Sequence, residues 1–99
     1  MEASLAARLA ALDISLMAEA KEYSIFVREG CLALVQRNEA GFASLGSSGM
    51  MTENGLAYLV WRGERPLLVA KESELPAEAW QVARIRQFSG DLKSALGLE

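Results

Sequence analysis

The chain has 99 residues and contains no histidine, a single cysteine (Cys31) and two prolines. Without histidine it cannot use Ser-His-Asp or Cys-His catalysis, and it has no imidazole ligand for zinc. A single cysteine excludes an intramolecular disulfide and a cysteine-rich metal site, and it is typical of a small residue buried in a strand. These absences favour a protein that is not an enzyme, with an enzyme that uses carboxylate or Tyr chemistry as the weaker alternative, and we expect no metal and no cofactor.

Long apolar runs and basic stripes are also missing. No stretch reaches the ~18 uninterrupted apolar residues of a membrane helix, and no charged start followed by an apolar core marks a signal peptide. We therefore expect a cytoplasmic protein without a membrane partner. The 13 acidic and 10 basic residues are interspersed and give a net charge of -3, so no basic surface is expected to bind nucleic acid.

The composition is that of a globular domain. Hydrophobic residues make up 52% of the chain and charged residues 23%, which is too apolar for a disordered chain. A chain of this length forms one domain, which we assign to residues 1–97. The final Leu98-Glu99 is typical of residues that an expression vector leaves ahead of a purification tag.

An Ala- and Leu-rich segment from Glu2 to about Lys21 predicts an N-terminal helix. Four leucines at spacings of four, three and four residues lie on one stripe of that helix, and Asp13 and Ser15 could interrupt it midway. The stripe either packs on the chain's own sheet or pairs with a helix of another chain. The leucines are Leu5, Leu9, Leu12 and Leu16.

Four short turn signals divide the middle of the chain into five apolar runs. A short turn forces its flanking runs to pair antiparallel, because a parallel return needs a crossover of about a dozen residues. We therefore predict an α+β fold in which a five-stranded antiparallel meander lies between two helices. The turn signals are Glu29-Gly30, Asn38-Glu39-Ala40-Gly41, Asn54-Gly55 and Gly63-Glu64.

The turns also predict the register of three hairpins. The first pairs Tyr23–Arg28 with Cys31–Gln36, which places Ile25, Val27, Leu32 and Leu34 on one face and Phe26, Cys31, Ala33 and Val35 on the other. The second is expected to pair Thr52 with Ala57, Met51 with Tyr58 and Met50 with Leu59. The third is expected to pair Val60 with Leu67, Tyr58 with Val69, Trp61 with Pro66 and Leu59 with Leu68, with Pro66 at the start of an outer strand.

The third run, Phe42 to about Glu53, is too long for one flat strand. It contains two glycines around two serines, Gly46, Ser47, Ser48 and Gly49, which predict a bend or a β-bulge. The same four residues are a candidate ligand site, because exposed amides and hydroxyls beside glycines can bind an anion.

A second helix is predicted to begin at Pro76, with Ser73 or Glu74 as its cap. Its apolar side is formed by Val82, Ile85, Phe88, Leu92 and Leu96, and Gly90 is a possible site for a kink. The acidic group Glu72, Glu74 and Glu78 precedes or enters this helix start, where negative charge is favourable against the helix dipole.

Two helices can cover only one face of such a sheet, yet several strands are apolar on both faces. Either the sheet curls on itself or another chain covers the second face. We therefore expect a non-enzymatic interaction domain that forms a homodimer, such as an adaptor or regulatory subunit. Its candidate interface residues are Leu59, Trp61, Leu68 and Trp80. The alternative is a small-ligand-binding domain that uses the concave face of a curved sheet near Gly46–Gly49.

Overall fold

The structure, a computed structural model, describes residues 3–98. It confirms an α+β fold with a helix at each end of an antiparallel sheet, but the sheet has seven strands in sequential order rather than the predicted five. The predicted helix start at Glu2 and the predicted vector residue Glu99 lie outside the described residues. The elements are α1 (Ala3–Ala11), β1 (Ser15–Glu19), β2 (Tyr23–Arg28), β3 (Cys31–Asn38), β4 (Gly41–Thr52), β5 (Gly55–Arg62), β6 (Arg65–Val69), β7 (Glu74–Pro76) and α2 (Ala79–Leu96).

Strand β1 is the first of the two strands that were not predicted. Helix α1 ends at Ala11, and Asp13 adopts a positive φ of 58°, a conformation that stops a right-handed helix. The following residues pair with β2 instead, with Leu16 opposite Phe26. The prediction of one helix from Glu2 to Lys21 is therefore wrong beyond Ala11, whereas the predicted possibility of an interruption at Asp13 is confirmed.

Strand β7 is the second strand that was not predicted. Residues Glu74–Pro76 pair with β6, so Pro66 does not lie on an outer strand, and its carbonyl accepts a hydrogen bond from the Ala77 amide at 2.9 Å. Helix α2 begins at Ala79 rather than at Pro76, with Glu78 as its N-cap. The Gln81 side chain accepts a hydrogen bond from the Glu78 amide at 2.8 Å, as in a capping box.

Two of the three predicted hairpin registers are confirmed, those of β2–β3 and β5–β6. In β4–β5 the structure pairs Thr52 with Gly55 and Met50 with Ala57, two residues away from the prediction. Glu53 and Asn54 alone form this turn, and Gly55 follows them with a φ of 94°. A shift of two residues leaves every side chain on its predicted face.

Helix α2 lies across one face of the sheet, over β3 and β4, and α1 packs beside it. The predicted residues Ile85, Phe88 and Leu92 are fully buried, and Gly90 does not interrupt the helix. Each such side chain stabilises the fold by roughly 1.5–3 kcal/mol through the apolar area that it removes from water. From the sheet, α2 contacts a layer that includes Phe26, Ala33, Val35, Met50 and Ala57.

Candidate functional site

Neither helix within residues 3–98 covers the second face of the sheet, and we call it the open face. The strand registers place alternate residues of β2–β6 on it, so Val60 points to the open face while its neighbour Trp61 points to the helix side. Seven of the apolar side chains that remain exposed or half-buried there form what we call the open-face patch: Tyr23, Ile25, Val27, Leu34, Leu56, Tyr58 and Val60.

The chain itself covers part of the open face. Arg62 on β5 reaches across β6 to Glu74 on β7, where its Nη2 donates to Oε2 at 2.7 Å. Leu67 is on β6, the strand between them, halfway between the residues that pair with Arg62 and with Glu74. It is only 7% exposed. The ion pair therefore shields the β6 end of the open face, and the patch begins beyond it.

A second polar pair lies at the opposite end of the patch. The Ser44 hydroxyl donates to Gln36 Oε1 at 3.1 Å, and Gln36 is the strand partner of Tyr23. The open-face patch thus has an apolar centre between two polar pairs whose hydrogen bonds are satisfied within the chain. An apolar centre with a polar margin is the usual anatomy of a protein interface.

The Gly46–Gly49 segment lies in β4 and contains the predicted irregularity. Ala33 pairs with Ser48 and Val35 pairs with Leu45, so β4 has one more residue than β3 between these pairs. The extra residue forms a bulge, after which Ser48 faces α2 and accepts a hydrogen bond from the Ser89 hydroxyl at 2.9 Å. The segment therefore contacts the helix side of the sheet.

Beside this bulge lies a cleft of about 430 Å³ between β4, β5 and α2, which we call the α2 cleft. Three of the four predicted segment residues line it, together with the predicted interface residues Leu59 and Trp61. Helix α2 contributes two basic side chains that the sequence analysis did not single out. The polar and charged lining residues are Ser47, Ser48, Arg86, Ser89 and Lys93.

The four predicted interface residues do not form one surface. Leu68 is 5% exposed and belongs to the core under α2, and Leu59 packs against that core. Trp61 is 44% exposed on the same side of the sheet, with the Arg86 guanidinium 5.0 Å from its ring centre. Trp80 is 52% exposed at the start of α2, where its Nε1 donates to Glu78.

Trp80 borders a larger groove that sequence reasoning missed. Its volume is about 730 Å³, and it lies between the β4–β5 turn, β7 and the first turn of α2. Buried Met50 and Leu68 are among its lining residues, as are the more exposed Met51 and Leu75. No sequence signal indicated this groove, because β7 itself was not predicted.

Arg28 connects the sheet to α2. Its Nη1 donates to Asp91 Oδ2 at 2.8 Å and to the Leu12 carbonyl at 3.1 Å, while its guanidinium lies 5.4 Å from the centre of the Phe88 ring. Both charged groups of the ion pair are largely buried, at 16% and 25% exposed. The pair holds α2 and the α1–β1 link in place.

The ionisable residues offer little chemistry. Cys31 is buried, as predicted, and burial raises the pKa of its thiol, so its nucleophilic thiolate is scarce at neutral pH. Across residues 3–98 no three His, Cys, Asp or Glu side chains meet in a way that could hold a metal ion. Neither helix of the described chain is long and apolar enough to cross a membrane.

Comparisons with known proteins identify no family for this chain. No protein-family model, no curated protein and no solved structure matches this chain. The function is therefore inferred from the geometry of the chain itself.

Proposed function

We propose that this protein is a non-enzymatic interaction domain, an adaptor or regulatory subunit, that forms a symmetric homodimer through its open-face patch. The observation that supports this is the apolar character of a sheet face that neither helix of the described chain covers. In antiparallel sheets the solvent-facing side is normally polar. Here β2, β3 and β5 instead present Ile25, Val27, Leu34, Tyr58 and Val60 on that side.

A second copy of the chain is the partner that fits this surface. At its margin Arg62 is already paired with Glu74 of the same chain, so this ion pair does not require a partner of opposite charge. Two such faces related by a twofold axis bury each other's apolar side chains, as in packed β-sandwiches. Between the two polar pairs, the strand registers of the described chain place no charged residue on the open face of β2, β3 or β5, which matches the depletion of charge in interface centres.

The size of the patch predicts weak association. The patch spans four strands that lie about 4.8 Å apart. It covers about five residues along each strand, at about 3.3 Å per residue, so its projected area is roughly 300 Å². Standard interfaces bury about 800 Å² per partner, and smaller ones belong to transient complexes. We therefore expect a dissociation constant in the micromolar range or weaker.

Sedimentation equilibrium from about 1 µM to 1 mM tests this proposal by measuring the mass of the wild type and two variants. The wild type is expected to approach twice the chain mass of 10.7 kDa at the upper end of this range. Val60→Glu places a charge in the patch, at a side chain that is 38% exposed in the single chain, and is expected to remain monomeric. Circular dichroism establishes that each variant is folded.

Trp61→Glu is the matched control, because it makes a comparable change one residue away on the opposite face of the same strand. It is expected to dimerise like the wild type. A wild type that is monomeric at 1 mM, or a dimer that survives Val60→Glu and is lost in Trp61→Glu, refutes the open-face dimer. The second result would place the interface at the predicted residue Trp61 instead.

A further inference from the structure

The α2 cleft differs in charge from the rest of the chain. Among the described residues, the two charged side chains that line it are basic, Arg86 and Lys93, and no carboxylate lines it, although the whole chain has a net charge of -3. The two residues are seven positions apart on α2, about two helical turns, so they project from the same side of the helix. Ser89 and Gly90 lie between them.

Hydrogen-bond donors are present at the same place. Ser89 donates its proton to the Ser48 hydroxyl at 2.9 Å, so the Ser48 hydroxyl retains its own proton for a ligand. Arg86 is held in position by a cation–π contact, because its guanidinium carbon lies over the Trp61 ring, 5.0 Å from the ring centre. Charge-assisted hydrogen bonds from Arg and Lys are the strongest contacts that a side chain makes to a phosphate.

The remaining walls of the cleft are apolar. Leu45, Leu59 and Ile85 line it together with Trp61, and its volume of about 430 Å³ is within the range of small-molecule sites. An inorganic ion would leave this apolar surface in water. The lining therefore favours a ligand that joins an anionic group to an apolar body.

We propose that the α2 cleft binds a small organic phosphate monoester, with its phosphate at Arg86, Lys93 and Ser48 and its apolar part against Leu59 and Ile85. A monoester has a charge of about -1.5 to -2 at neutral pH, which matches two basic side chains. The site is on the helix side of the sheet and is independent of the proposed dimer surface.

Fluorescence of Trp61 tests this proposal in a Trp80→Phe background, where Trp61 is the sole indole. Three probes are titrated: phenyl phosphate, inorganic phosphate and benzyl alcohol. Phenyl phosphate is expected to give a saturable change and to bind at least about tenfold more tightly than inorganic phosphate, because burial of the ring adds apolar contact. Benzyl alcohol, which lacks the charge, is expected to give no saturable change.

Variants on α2 then locate the site. Arg86→Gln and Lys93→Gln are each expected to weaken phenyl phosphate binding by about tenfold or more. Arg84→Gln is the matched control. Arg84 is on the same helix, and in the wild type its guanidinium also lies over a tryptophan, 5.5 Å from the centre of the Trp80 ring. It does not line the cleft. It is expected to leave binding unchanged.

The absence of a saturable response to 10 mM phenyl phosphate refutes the proposal. Equal losses in Arg84→Gln and Arg86→Gln also refute it, because they would indicate general charge attraction. Equal affinity for inorganic and phenyl phosphate refutes the apolar part of the assignment, and equal binding of benzyl alcohol refutes the anionic part.

Discussion

Replacing Gly49 by alanine tests how closely β5 lies against β4. An atom at the Cβ position of residue 49 would lie 2.8 Å from the Tyr58 Cα, and nearer still to the Ala57 carbonyl oxygen. Both are backbone atoms of β5, a strand that is hydrogen-bonded to β4 on one side and β6 on the other. They cannot move aside without disturbing those ladders, so the methyl group has no space.

The expected loss of stability can be worked out from these contacts. Overpacking a well-packed site typically costs 1–3 kcal/mol, and a rigid backbone neighbour places Gly49→Ala at about 3 kcal/mol. Reduced freedom of the unfolded chain offsets about 0.4–1 kcal/mol of this. The net loss is therefore about 2 kcal/mol or more, which corresponds to a fall in Tm of roughly 8 °C or more for a domain of this size.

Gly46→Ala is the matched control, since it adds the same methyl group three residues away in the same strand. The closest atom to that methyl group would be the Leu34 carbonyl oxygen at 3.4 Å, an ordinary contact. Its free energy of unfolding is expected to lie within about 1 kcal/mol of the wild type. Urea unfolding followed by tryptophan fluorescence measures both variants. Equal stability of the two would show that the approach of β5 to Gly49 does not constrain this residue.

Two further predictions concern a turn and the buried thiol. Gly55→Val is expected to lower the free energy of unfolding by about 1 kcal/mol or more, because Gly55 has a φ of 94° that β-branched residues rarely adopt. Glu64→Val, at an exposed turn, should change the midpoint of urea unfolding little. Equal midpoints for the two variants would contradict this prediction. Burial raises the pKa of the Cys31 thiol, so the unfolded chain ionises first and stability should fall as pH rises above the ordinary thiol pKa. Cys31→Ala should lack that part of the alkaline loss, and identical pH profiles would refute the assignment.

The turns and the periodicity of the sequence were sufficient to predict much of the sheet. Gly30 and Gly63 mark tight turns, and the alternation beyond them specifies the pairing of Phe26 with Ala33 and of Leu59 with Leu68, as the structure has it. The buried side of α2 was predictable for the same reason, since Ile85, Phe88 and Leu92 recur at helical spacing.

The edge strands could not be predicted in this way. Leucine spacing continues from α1 to Leu16, and only the positive φ of Asp13 and pairing with β2 make Ser15–Glu19 a strand. All five residues of that strand are exposed. Because neither side of the strand is buried, its sequence shows no alternation of apolar and polar residues. Strand β7 has three residues, too few for a periodic pattern, and its pairing with β6 alone defines it.

Tertiary packing decided which apolar face the helices cover and which distant residues meet. Val60 and Trp61 both suit a buried strand position, so their order in the chain does not indicate which of them faces α2. The α2 cleft likewise brings the β4 bulge at Gly46–Ser48 against Arg86 and Lys93, about 40 residues later in the chain. Local spacing specifies turns and alternation, whereas contacts between distant segments form only when the helix settles on one face of the sheet.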